Sequence, residues 1–429
     1  MPSQSEPWRV SLGSKQTQFH ILSFEGPDPY STVGGLGTRV EGLTEALAAQ
    51  NHETHLWYVG DPHCPGHESR DDVMLHRWCQ WISEHHPRGV YDGEFGKTAD
   101  YASSLPPFML NRVLLPHLLD GGRAVIIAEE WQTANALLHL DWLLRCAGVR
   151  HQATLSWNAN NIYGFEQIDW QRLQAAATIT TVSRYMNLMM RPYGINPVVI
   201  PNGLAADAFL PPEQEGVRQA AKNLDGRLVV TKMARFDPDK RWMESITLMA
   251  RLKHQGWKPL MIARGGNEAH GREVMREAKR LGLRVSQRSA PGTTAGLMQA
   301  TQNVEDVDIV ELTSHVDKNC RRVLFKSSDV VLANSVHEPF GLVGLEAMAV
   351  GGLAATGCTG EDYAVPGHNA LVLQTGDPDE FLQLYTPLRT NRNECVALRS
   401  AGQATAKRYS WPAVLRSSLI PRLTGTVYA

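Results

Sequence analysis

Short apolar runs separated by helix-period stretches recur along the whole chain, and this alternation is the strongest constraint on its fold. The runs read as strands at 19–24, 54–59, 124–128, 153–157, 178–182 and 198–200, then at 228–234, 259–263, 307–312, 330–333, 353–356 and 370–373. Between the first two, Leu36, Val40, Leu43 and Leu47 take the i, i+4, i+7, i+11 positions of a helix with one buried face. Such alternation predicts an α/β fold with mostly parallel sheets covered on both faces. At 429 residues the chain exceeds what one hydrophobic core supports, so two such domains are expected.

The turn-rich Pro201-Asn202-Gly203 and the polar stretch 211–225 mark the break. They divide a first domain, 1–203, from a second, 204–410. After Tyr409-Ser410-Trp411-Pro412, a short apolar pattern (Val414, Leu415, Leu419, Ile420, Leu423) predicts a helix within 411–429 that packs away from the second domain.

A formal net charge of −2 leaves no basic excess to neutralise phosphates, which argues against a nucleic-acid partner. The start, Met-Pro-Ser-Gln-Ser-Glu-Pro-Trp-Arg, lacks the charged-then-apolar order of a signal peptide. No apolar run approaches the roughly 20 residues that span a bilayer. The six cysteines are scattered without Cys-x-x-Cys spacing, as expected for free thiols in a cytoplasmic protein. No metal site is expected: His63, His67, His85 and His86 read as solvated surface side chains. The Asp-Pro-Asp triplets at 237–239 and 377–379 read as turns rather than metal ligands.

Three segments carry possible chemistry. After the apolar run 329–335, His337-Glu338-Pro339-Phe340-Gly341-Leu342 reads as a tight loop leading into a helix that opens near Phe340-Gly341. The first N–H groups of such a helix lack intrahelical partners and favour an anion. Glu338 and Glu346 lie eight positions apart, one in the loop and one in the helix. After the strand 228–234, Arg235 and Lys240 bracket a turn and suit a diphosphate; the competing reading is surface pairing with Asp237 and Asp239. In the first half, Ser31-Thr32-Val33-Gly34-Gly35-Leu36-Gly37 opens a helix with glycines that let backbone approach a ligand.

Together these residues resemble the family 4 glycosyltransferases, the retaining group that contains glycogen and starch synthases and sucrose synthase. Glu338 to Glu346 matches the family's Glu-x7-Glu, and Arg235 and Lys240 match its diphosphate-binding pair. Val33-Gly34-Gly35-Leu36 resembles Lys-x-Gly-Gly-Leu, Trp131-Gln132-Thr133 resembles His-Asp-Trp-x-Thr, and Pro201-Asn202-Gly203 matches the Pro-Asn-Gly before the linker. Gly360-Glu361-Asp362 with Gly367-His368-Asn369-Ala370 resembles the closing segment.

The resemblance implies the GT-B architecture: two Rossmann-like domains facing across a cleft, with the C-terminal helix crossing back to the first. It implies a retaining, metal-independent hexosyltransferase with no cofactor beyond its nucleoside-diphosphate sugar, UDP-glucose being the default donor. Arg235, Lys240 and the N–H groups of Gly341 and Leu342 would hold the diphosphate. Glu338 would contact the transferred sugar, Glu346 the ribose hydroxyls, and the Gly34-Gly35 loop the phosphates or sugar. Three positions depart from the family pattern. Trp157 stands where the donor-sugar His is expected, Glu129-Glu130 replace His-Asp, and Thr32 replaces the glycine-loop Lys. Trp157, Asn158 and Glu130 therefore become the candidate acceptor and sugar pocket. The first domain shows no strongly basic amphipathic helix, so a small soluble or saccharide acceptor is expected rather than a lipid. Two alternatives are a hydrolase or epimerase using Glu129-Glu130, and a non-catalytic nucleotide-sugar sensor or partner subunit.

Overall fold

A computed structural model of the chain describes residues 17–289 and 291–423. They form two compact units: one ends at Ala205 and resumes at Ser410, and the other spans Ala206–Tyr409. Residues 1–16 and 424–429 of the expected first domain and C-terminal helix lie outside the described residues.

Among the described residues the first unit holds an eight-stranded sheet. Its strands are β1 (Thr17–Leu22), β2 (Glu53–Val59), β3 (His67–Arg70), β4 (Val73–Trp78), β5 (Arg123–Glu129), β6 (Ala153–Ala159), β7 (Thr178–Thr181) and β8 (Val198–Val199). Their spatial order is β3-β4-β2-β1-β5-β6-β7-β8, parallel throughout except for the β3–β4 pair. Every residue of β1 is buried. Helix Gly35–Ala48 lays Val40, Leu43 and Leu47 against Phe19, Ile21 and Leu56, the face its periodicity predicts.

The β3–β4 hairpin is absent from the sequence reading. β3 reads His-Glu-Ser-Arg, without the apolar alternation that announces a strand, because it is an exposed edge. Its turn runs through Asp71 and Asp72, both at positive φ. The hairpin extends a row of histidines across one sheet face. His76 hydrogen-bonds His55 at 2.9 Å and His67 at 2.8 Å while its ring stacks on Trp57 at 3.7 Å. His67, expected as a solvated side chain, is thus tied to a buried one.

The second unit holds a seven-stranded, all-parallel sheet among the described residues. It comprises β9 (Leu228–Met233), β10 (Pro259–Arg264), β11 (Val285–Arg288), β12 (Ile309–Leu312), β13 (Val330–Ala333), β14 (Ala354–Thr356) and β15 (Leu371–Val372), ordered β11-β12-β10-β9-β13-β14-β15. Successive side chains enter opposite cores. Leu228, Val230 and Met261 join one cluster, while Val229, Leu260 and Ile262 join the other, as a sheet covered on both faces requires. The polar stretch 211–225 is not an open linker. It contains helix Gln214–Asn223, whose Gly216 and Ala220 turn inward while its charged residues cover the outside.

After Tyr409 the chain returns to the first unit. Trp411, Val414, Leu415 and Leu419 join the cluster that contains Val40 and Leu43. Space for the Trp411 ring is made by glycines: a Cβ on Gly203 or Gly42 would stand 2.4 or 2.6 Å from it. No helix among the described residues is long and apolar enough to cross a membrane.

Candidate active site

In the second unit the strand order reverses between β9 and β13, and ligands of such sheets bind outside the carboxyl ends of the strands at that point. Arg235 follows β9 and Glu338 follows β13, so sheet pairing brings together segments far apart in the chain. Lys240 Nζ donates to Glu338 Oε2 at 2.7 Å across 98 positions. Ser335 Oγ donates to the same oxygen at 2.8 Å. The loops are also joined through backbone, since Val336 N–H donates to the Asp239 carbonyl at 2.7 Å. Lys240 therefore reaches the Glu338 loop instead of pairing with Asp237 or Asp239, while Asp239 lies 3.6 Å from His337. The Arg235 guanidinium is exposed and makes no ion pair among the described residues.

The expected helix runs from Leu342 to Ala349, capped by Gly341 at φ 80°. That left-handed conformation favours glycine. Crowding excludes a side chain too: a Cβ on Gly341 would stand 2.7 Å from Glu361 Cγ. Glu346 is the fifth residue of the helix and lies 3.3 Å from an Arg321 nitrogen. Burial raises its carboxyl above the usual range, with Arg321 opposing the shift.

A residue overlooked in the sequence lies beneath this corner. Lys232, on β9, is buried with its ammonium 2.7 Å from Asn334 Oδ1 and 5.3 Å from the Trp242 ring centroid. Burial pushes it down to about 7, with the charge of Lys240 adding to the shift. Its signal was a lysine inside the apolar run Leu228-Val229-Val230-Thr231-Lys232-Met233.

The first unit reverses its strand order between β1 and β5, and two glutamates stand there. Glu25 follows β1, and its Oε2 accepts the N–H groups of Val33, Gly34 and Gly37 at 3.2, 3.0 and 3.0 Å. The glycine loop expected to meet phosphates or sugar thus already surrounds a carboxylate of its own chain, with Tyr91 donating to Glu25 Oε1 at 2.7 Å. The signal that could have found it is an acidic residue directly after the first strand, eight positions before the loop.

Glu130 follows β5 with φ 68° and ψ 167°, a region a side chain enters only under constraint. The constraints are visible. Glu130 N–H donates to the Asn158 carbonyl at 3.0 Å, its own carbonyl accepts the Trp157 indole N–H at 2.9 Å, and its Oε1 accepts the Asn160 N–H at 2.7 Å. Burial pushes its carboxyl up to about 8; Glu129 adds to the shift and the Asn160 N–H opposes it. Glu129 is held differently, by Arg39 at 3.0 Å and by the amides of Asn158 and Asn160 at 2.9 and 2.8 Å. Of the candidate pocket residues, Trp157 is turned inward: no part of it is exposed, and it packs on Phe165 and Trp170. Asn158 is equally buried, supporting Glu129.

Comparison with known proteins follows the same division. A family model described as glycosyl transferases group 1 matches residues 213–405, and one described as glycosyltransferase family 4 matches residues 33–208. A search of the curated proteins finds no significant match. Among solved structures, the sucrose-phosphate synthase of Thermosynechococcus elongatus shares 18% identity over 96% of this chain and 100% of that one, with a TM-score of 0.66. The catalytic domain of starch synthase IV from Arabidopsis thaliana, bound to ADP and acarbose, shares 15% over 96% and 99%, with a TM-score of 0.67. Anabaena HepE in complex with UDP and glucose shares 15% over 96% and 100%, with a TM-score of 0.61. At these identities the structural likeness speaks for the fold, and the family models speak for the family. The chain belongs to the family 4 type of glycosyltransferases and has their GT-B fold of two Rossmann-like units.

Proposed function

We propose that this transferase is a retaining, metal-independent enzyme that moves a hexose, by default glucose, from a UDP-sugar to a hydroxyl of a saccharide or small soluble acceptor. The observation that carries this reading is the group at the second unit's switch point: the exposed Arg235, the Lys240–Glu338 pair, and the helix start at Gly341-Leu342. As the bond from the sugar's anomeric carbon breaks, its electron pair leaves with the diphosphate. Negative charge then grows on the phosphate oxygens. A guanidinium, an ammonium and first-turn N–H groups are donors for that charge, and fixed donors stabilise it without reorganising. Three such donors can do the work a metal does elsewhere. In this reading Glu338 exchanges Lys240 for sugar hydroxyls, and Glu346 accepts from the ribose. HepE with UDP and glucose, and starch synthase IV with ADP, are relatives in fold whose ligands fit this reading.

On the first unit, Glu130 is assigned to the acceptor. A carboxyl that keeps its proton near neutrality donates a hydrogen bond to an acceptor oxygen instead of repelling an anionic group. The same property favours a second reading, a hydrolase or epimerase using Glu130 as proton donor.

A thermal-shift panel of UDP-, ADP- and GDP-sugars in EDTA tests the donor. A ligand at 100 times its Kd stabilises the native state by about 2.7 kcal/mol, so UDP-glucose should raise the melting temperature by a few degrees. No shift with any nucleotide sugar sinks the reading. Release of free sugar without acceptor, at the transfer rate, would favour the hydrolase.

A further inference from the structure

The donor reading leaves Glu361 without a task. It lies in the segment after β14, and its side chain is buried. Oε2 accepts the Thr359 N–H at 3.1 Å, whereas Oε1 is buried without a hydrogen-bond partner. A Cβ on Gly341 would stand 2.7 Å from Glu361 Cγ and 3.2 Å from Glu338 Cγ, so two carboxyl side chains flank the residue that opens the helix.

Their situations differ. Glu338 is satisfied by Lys240 and Ser335. Glu361 has no ion pair among the described residues. The titratable groups around it are Glu338, the Tyr363 hydroxyl, which donates to the Gly341 carbonyl, and Asp362 beside it in the chain. Lys240 meets this corner through Glu338. Burial accordingly pushes Glu361 up to about 7, with the charge of Glu338 adding to the shift and the backbone N–H groups of Glu361, Thr359 and Gly357 opposing it.

We propose that Glu361 is a proton-holding positioning residue of the donor site: it takes up a proton from solvent when an anionic donor settles on Gly341 and Leu342, so that donor binding is coupled to protonation. The inference rests on the donor reading above. A diphosphate brought to this corner would face an ionised carboxylate that no cation balances, in surroundings where charges are poorly screened. The neutral acid removes that repulsion, and its O–H supplies a donor to an anion oxygen, a use of a buried acid known from other sites. Above the pH at which free Glu361 ionises, each further unit costs donor affinity up to a factor of ten, because a proton must be acquired with each donor.

Isothermal titration calorimetry with UDP-glucose and ADP-glucose at about pH 8, in Tris and in HEPES, reads the protons exchanged. A nucleotide sugar has no phosphate group titrating in this range. Uptake approaching one proton per donor is expected in the wild type, falling to near zero in Glu361→Gln, whose Kd should stay flat from about pH 7 to 9 while the wild type weakens. Binding by the wild type without buffer-dependent heat overturns the proposal, and this arm needs no variant to fold. Uptake retained in Glu361→Gln would place the proton on another group and overturn it as well. If neither probe binds the wild type, the donor reading itself falls and takes this inference with it.

Discussion

Arg235 and Lys240 carry the same charge in different circumstances, and the difference can be measured. Arg235 is exposed and without an ion pair among the described residues, so Arg235→Ala should leave the melting temperature unchanged. Turnover should fall by about 10²–10³-fold, the usual cost of removing one preorganised donor to developing charge. Lys240→Ala should lose as much turnover and also loosen Glu338, which keeps Ser335 alone. Near-normal kcat in either variant removes the diphosphate assignment. Glu130 allows a test by pH. Its folded-state value, pushed up to about 8, lies above that of an unfolded carboxyl. The group therefore favours the folded state fully at acid pH and loses that contribution as pH rises through about 8. Glu130→Gln cannot ionise, so its melting temperature relative to wild type should rise between pH 5 and 8.5. A pH-independent difference would contradict the buried proton. None of these distinctions is local: Arg235 and Lys240 are legible as residue types in a turn, but which of them finds a carboxylate depends on segments about a hundred residues away.

At the scale of elements, the helix that opens at Leu342 shows how closely local chemistry sets a boundary. Gly341 at φ 80° combines a left-handed backbone with contact to Glu361, so Gly341→Ala should destabilise the protein by about 1–3 kcal/mol in urea unfolding and weaken nucleotide binding. Unchanged stability would mean that the helix start is not so constrained. This start was readable, because an apolar strand, a loop and a glycine followed one another within a dozen residues. The edge strands β3 and β11 (Val285–Arg288) were not, because edge strands pack too little apolar surface to print a period of two. The glycine loop is a mixed case. Its position before helix Gly35–Ala48 was plain, yet its N–H groups are used by Glu25, an acceptor supplied by another strand end.

At the scale of the whole molecule, the chain begins in one unit, builds the second and returns to the first. The return is fastened by Trp411, which is buried against Gly42 and Gly203 with the Arg39 guanidinium 5.4 Å from its ring centroid. Trp411→Ala leaves a large cavity and should cost about 3–5 kcal/mol in the first unit's unfolding. Limited proteolysis should then cut residues 410–423 faster; equal rates would show that the segment is held elsewhere. The sequence by itself determined the α/β class, most strands, the helix starts near Leu36 and Gly341, the two-unit plan and the residue types at the second unit's switch point. Each of these is set by period and turn chemistry within some fifteen residues. The tertiary structure alone decided that β9 lies beside β13, that Lys240 meets Glu338, that Glu25 fills the glycine loop, and that burial raises the carboxyls of Glu130 and Glu361. Pairing, burial and charge balance are sums over neighbours that the fold, and not the order of residues, brings together.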